Sequence, residues 1–226
     1  VQGVHRGQPD HRERELMPDY QVGPLLVSDS YNRADSASVG STDGGSLSPL
    51  AWATGAGASL LSYKIASNQL ASNNSPSIEP MWVPVGFPDV RVQIDVTTLP
   101  DSGANLGLSL RATGVNDLFW FGVDFASGFK VYLQERESVG GGVINHVVST
   151  STYTAPCTLR VDMWGNQLYC HVNGTLIGTA TSTFNQTATN HGVWTNNDNT
   201  GTLDNFKVWQ LDPVLPELTH TGAMTT

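Results

Sequence analysis

Through the middle of the chain, apolar and polar residues alternate one by one. In "DVRVQIDVTTL" (89–99) Val90, Val92, Ile94 and Val96 share one side, and Arg91, Gln93, Asp95 and Thr97 share the other. A period of two belongs to an extended chain whose successive side chains point to opposite faces, so the segment predicts a half-buried strand. "NLGLSLRAT" (105–113) repeats the pattern with Leu106, Leu108 and Leu110 inward, and "FKVYLQE" (129–135) with Phe129, Val131 and Leu133. "DLFWFGVDF" (117–125) has aromatic residues on both sides, which predicts a strand covered on both faces with Trp120 in the core.

The stretch "CTLRVDMWGNQLYCHVNGTLIGTA" (157–180) specifies more. Gly165-Asn166 between two alternating runs predicts a two-residue hairpin that pairs Trp164 with Gln167, Asp162 with Tyr169 and Val161 with Cys170. That register gathers Leu159, Val161, Met163, Leu168, Cys170 and Val172 on one apolar face, and a slip of one residue would scatter them. The opposite face carries Arg160, Asp162, Trp164, Tyr169 and His171. Two readings fit it: a sugar platform of rings flanked by hydrogen-bonding groups, or a surface buried against the N-terminal arm or a neighbouring subunit. The register also places Cys157 and Cys170 roughly 13 Å apart, too far for a disulfide, so two free thiols are expected.

Composition agrees with an all-β chain. There are 23 glycines, and only 14% of residues are charged. The net charge of −9, with 11 Lys and Arg, argues against nucleic acid and against an anionic membrane surface. No apolar run approaches the roughly 20 residues that span a bilayer, and the first residues are too polar for a secretory signal peptide. Residues 1–27 mix His5, Arg6, His11, Arg12 and Arg14 with Asp10, Glu13, Glu15 and Asp19, and predict an extended N-terminal arm. Residues 28–212 form the domain and 213–226 a short tail.

Three stretches, "DSYNRADSASVGSTDGG" (29–45), "VNGTLIG" (172–178) and "TGTLDNFKVWQL" (200–211), stand in an order that resembles concanavalin A-like, laminin-G-like jelly-roll domains. The likeness covers about 28–212. It is nearest to the subset found in actinobacterial secreted proteins and in minor tail proteins of their phages, with Tyr31 standing where that subset has Phe. The resemblance implies a two-sheet antiparallel jelly-roll sandwich whose first and last strands lie side by side. It would bring Asp29, Asp35 and Asp204 together, either as ligands for calcium, the candidate cofactor, or as turn-capping carboxylates.

The function implied is that of a non-enzymatic structural or adhesion protein of a phage particle, a minor tail or decoration protein. Its lectin-like domain would either contact host cell-surface polysaccharide or simply decorate the particle, and its arm would lie on other virion proteins in a homo-oligomeric assembly. The alternative is a free-standing carbohydrate-binding module of a secreted bacterial protein; a glycoside hydrolase comes third. Hydrolases of this superfamily have a Glu-x-Asp run that is absent here; Glu135 and Glu137 are expected to be a solvated strand end. No G-x-S-x-G nucleophile turn occurs. Trp194 is placed at the edge of an Asn-rich loop, and Trp52 and Trp82 in connections that cover the ends of the sandwich.

Overall fold

The computed structural model describes residues 20–55, 63–73, 78–101, 103–138, 142–196 and 200–214. Among them the chain forms β1 (Tyr20–Asp29), β2 (Ala53–Thr54), β3 (Tyr63–Ala66), β4 (Gln69–Ser72), β5 (Ile78–Pro84), β6 (Val90–Thr98), β7 (Asn105–Gly114), β8 (Asp117–Asp124), β9 (Lys130–Arg136), β10 (Val143–Thr152), β11 (Cys157–Trp164), β12 (Gln167–Val172), β13 (Thr175–Thr181), β14 (Asn190–Asn196) and β15 (Thr202–Pro213). The first sheet runs β13-β12-β11-β6-β15-β4-β3, with β1 also on β15, and the second runs β10-β9-β8-β7-β14-β5-β2. Every pairing is antiparallel, giving the expected two-sheet jelly-roll sandwich.

The alternation seen in the sequence is what joins the sheets. Val90, Val92, Ile94 and Val96 of β6 meet Leu106, Leu108 and Leu110 of β7 and Phe119, Phe121 and Val123 of β8 in one continuous core. The β11–β12 hairpin has the expected register, with Trp164 opposite Gln167, Asp162 opposite Tyr169 and Val161 opposite Cys170. Gly165 (φ 55°) supplies the positive φ of its turn, and Asn173 (φ 50°) and Gly174 (φ 80°) supply that of the next. Both cysteines are buried and free, each acting as a small apolar core residue.

The start of the domain differs from expectation. Strand β1 begins at Tyr20, so the boundary expected between 27 and 28 falls inside a strand, and β15 runs on to Pro213. The cause is burial: Leu26 and Val27 pack into the core, Tyr20 lies on the outward face against Trp164 and Tyr169, and β1 pairs with β15, Asp29 opposite Phe206 and Tyr20 opposite Pro213. Of the arm expected over 1–27 and the tail expected over 213–226, residues 1–19 and 215–226 lie outside the described residues.

The tryptophans also differ in part. Trp120 is buried as expected, but beneath the outer face of the second sheet, 6.3 Å from Trp194 and packed with Trp82, Ala112 and Leu118. Trp194 lies on β14, at the edge of the Asn-rich stretch as expected, whereas Trp82 lies on β5 rather than in a connection; Gly192 stands opposite Trp82 and Gly107 opposite Trp194 on the neighbouring strands. Trp52 packs into the main core.

Candidate functional site

The site grows from the cross-strand pairing of the first sheet. Asp162 on β11 stands opposite Arg91 on β6 and Tyr169 on β12, which makes one row of outward side chains across three strands. One step along, Arg160 stands opposite Gln93 and His171, and His171 opposite Leu176. Tyr20 and Val22, from β1, complete a cleft of about 270 Å³ lined by Arg91, Arg160, Asp162, Tyr169, His171 and Leu176.

Asp162 is the anchor of this cleft. It is 1% exposed; such burial of a carboxylate requires paired donors. Arg91 provides two, Nε to Oδ1 and a terminal nitrogen to Oδ2, both at 2.7 Å, and the Tyr20 hydroxyl donates to Oδ2 at 2.9 Å. The paired carboxylate raises the Arg91 pKa through its hydrogen bonds, and burial beside Asp162 holds the proton on Tyr20. Burial, then the nearby Arg160, lowers the His171 pKa, which favours the neutral ring. A neutral ring donating Nδ1–H to the Tyr169 carbonyl (3.2 Å) presents Nε2 as an acceptor.

Four of the five residues expected on this face, Arg160, Asp162, Tyr169 and His171, therefore line one cleft. The fifth, Trp164, packs on Tyr20 with ring centroids 5.9 Å apart, and Tyr20 lies equally far from Tyr169. The face thus divides. Its Trp164 end is covered by the first strand, as the arm-packing reading supposed, and its Arg160 end is open. Sequence reasoning missed Tyr20, assigned to the arm, and did not bring Arg91 to the site. Arg91 had a signal, its outward position in an alternating strand; nothing in the sequence says that β6 borders β11.

Asp29, Asp35 and Asp204 do not make a cation site. The described residues hold no group of three or more His, Cys, Asp or Glu side chains able to bind a metal ion. Asp29 is fully buried, and both oxygens are occupied by donors: the Tyr31 amide (2.9 Å), the Arg33 fork (2.8 and 2.9 Å) and Trp52 Nε1 (2.8 Å). Asp35 accepts from the Ser67 amide and Asp204 from the Asn205 amide. Calcium ligation would require a carboxylate to exchange these donors for a cation, so the turn-capping alternative is the one the geometry fits.

The two glutamates also separate. Glu137 is exposed beyond the end of β9, as expected, but Glu135 is 6% exposed and accepts from His146 Nε2 (2.8 Å) and Ser182 Oγ (2.7 Å). It faces inward because it continues the Val131-Leu133 row of its strand.

No family model and no curated protein sequence matches the chain. Solved structures share its fold. One is a protein with a galectin-like fold from Bacillus subtilis, 14% identical, covering 86% of this chain and 100% of that chain with a TM-score of 0.57. Another is β-agarase B from Zobellia galactanivorans, 10% identical, covering 88% and 96% with a TM-score of 0.58. A third is the GH43 protein BlXynB from Bacillus licheniformis, 12% identical, covering 83% of this chain but 39% of that one, with a TM-score of 0.57. At these identities the likeness is one of fold.

Proposed function

We propose that this protein is a non-catalytic carbohydrate-binding module whose ligand lies in the β6–β11–β12 cleft. The observation that carries the reading is the open end of that cleft, where the Tyr169 ring stands beside the fixed Arg91–Asp162 pair and the Arg160 and His171 polar groups. An aromatic surface takes the apolar face of a sugar, while guanidinium donors and an imidazole acceptor serve its hydroxyls. Several proteins of the same fold are described as acting on glycans, among them the β-agarase of Zobellia galactanivorans, which is consistent with this use. A retaining hydrolase needs two carboxyl groups about 5–5.5 Å apart. Asp162 is the one carboxylate among the cleft-lining residues, and it is tied to Arg91 and Tyr20.

Affinity electrophoresis of the full chain through gels containing purified bacterial and algal polysaccharides tests the reading. At least one polysaccharide should retard the protein, and Tyr169→Ala should weaken the interaction about tenfold, the loss of roughly 1.4 kcal/mol of ring contact. Equal retardation of wild type and variant, or none with any polysaccharide, would refute it.

The resemblance to phage minor tail proteins supports a finer placement, in which the module is displayed on a virion and meets host-envelope polysaccharide while residues 1–19 engage other virion proteins. Asp29, Tyr31 and Trp52 pack with Phe206, joining the opening stretch of the domain to the closing one, which is consistent with that resemblance. Mass spectrometry of purified particles from a producing strain tests this placement; absence of the chain from them would refute it.

A further inference from the structure

The cleft holds a charge imbalance that glycan binding in general does not require. Among its lining residues, two guanidinium groups, Arg91 and Arg160, face a single carboxylate. Asp162 is committed to Arg91 by two 2.7 Å bonds, so that pair is internally neutral. Arg160 approaches the same carboxylate only to 3.5 Å through Nε, and that buried N–H has no hydrogen-bond partner among the described residues. Burial lowers the Arg160 pKa, Asp162 offsets part of this, and Arg91 lowers it further. His171 beside it offers no negative charge in either protonation state. A chain of net charge −9 therefore holds a surplus cation at the open end of its candidate site. An uncompensated, partly desolvated guanidinium is stabilised by an incoming anion, and its planar fork matches a carboxylate.

The geometry points to a sugar that carries a carboxylate: we propose, resting on the glycan reading above, that the cleft selects a uronate. Its carboxylate accepts from the terminal N–H groups of Arg160, its ring lies on Tyr169 and the half-exposed Leu176, and a hydroxyl donates to His171 Nε2. Neutral sugars meet the same ring surface but leave Arg160 uncompensated.

Isothermal titration of the full chain tests this with oligogalacturonate, oligomannuronate and hyaluronan fragments, each beside its carboxyl-reduced counterpart of equal length. An oligoglutamate is included as a carboxylate that is not a sugar. At least one uronate should bind roughly ten- to a hundredfold tighter than its reduced form, the ratio expected of one charge-assisted contact, and should weaken with salt. Arg160→Gln should collapse that ratio toward one. Arg160→Lys should restore part of it, and thermal unfolding of both variants verifies that they fold. Equal binding of uronate and reduced forms overturns the inference and leaves the glycan reading standing. Binding of the oligoglutamate as tightly as the best uronate overturns the sugar class. Failure of every saccharide in this panel overturns the uronate inference, while the glycan reading falls only if no polysaccharide retards the chain in the affinity gels.

Discussion

Acid should destabilise this sandwich through one buried ring, His191 on β14. The side chain is fully buried; Nδ1 accepts from the Arg111 amide at 3.3 Å and Nε2 donates to the Phe87 carbonyl at 3.1 Å. Both nitrogens are thus satisfied only in the neutral ring. A second proton would oppose an N–H on Nδ1 to the Arg111 N–H and place a charge near the buried Arg111 guanidinium. Burial, opposed in part by the bond to Phe87 and reinforced by Arg111, lowers the His191 pKa from 6.5 to about 3. The unfolded chain takes up its proton near 6.5 while the folded chain does not until about 3. The stabilisation is therefore complete above 6.5 and is lost as pH falls, at about 1.4 kcal/mol per pH unit. At about pH 4.5 the loss is roughly 2.7 kcal/mol, or about 1 M in urea midpoint. Urea unfolding followed by tryptophan fluorescence from about pH 7.5 to 4.5 measures it, with His191→Gln as reference. Carboxylates that titrate in the same range affect both proteins, so the difference isolates the ring. The variant should start less stable and lose less; parallel curves would refute the reasoning.

Asp29→Asn should cost about 3 kcal/mol in urea unfolding, because it leaves the Arg33 fork facing a neutral group in a buried setting; an unchanged midpoint would contradict the donor-saturated carboxylate. For the same reason, adding calcium or EDTA should leave the melting temperature of the full chain unmoved, and a rise with calcium would restore a cation site. Tyr20→Phe should lower stability by about 1 kcal/mol through loss of the hydroxyl bond to Asp162. Burial pushes the Cys157 thiol up to about 11 and raises that of Cys170 as well, so a thiol reagent should react with neither in the native protein at pH 8 and with both in urea.

Much of the fold was legible because alternation and burial are the same fact in a sandwich. The β11–β12 register followed from requiring Leu159, Val161, Met163, Leu168, Cys170 and Val172 to share a face, and it carried four cleft residues with it. What stayed hidden depends on strands far apart in sequence. Arg91 and Asp162 are 71 residues apart and meet only because β6 lies beside β11. Tyr20 reaches Asp162 across 142 residues, from a stretch whose prolines and charges read as an arm. The Asp29 cluster was legible as an edge pairing with the last strand. Its chemistry was not, because carboxylates near one another in sequence motifs look alike whether a cation or an arginine fork holds them.

The antiparallel pairing of β1 with β15 sets how the domain would respond to mechanical load. Tyr20 stands opposite Pro213, so the chain enters and leaves the sandwich at the same end of one ladder. Tension between these two points would open the β1–β15 hydrogen bonds in succession, like a zipper, rather than shear them all at once. Anything tethered through both points would hold the domain by its weakest mechanical direction. A tether through one point alone would leave the ladder unloaded and the cleft-bearing sheet intact under drag.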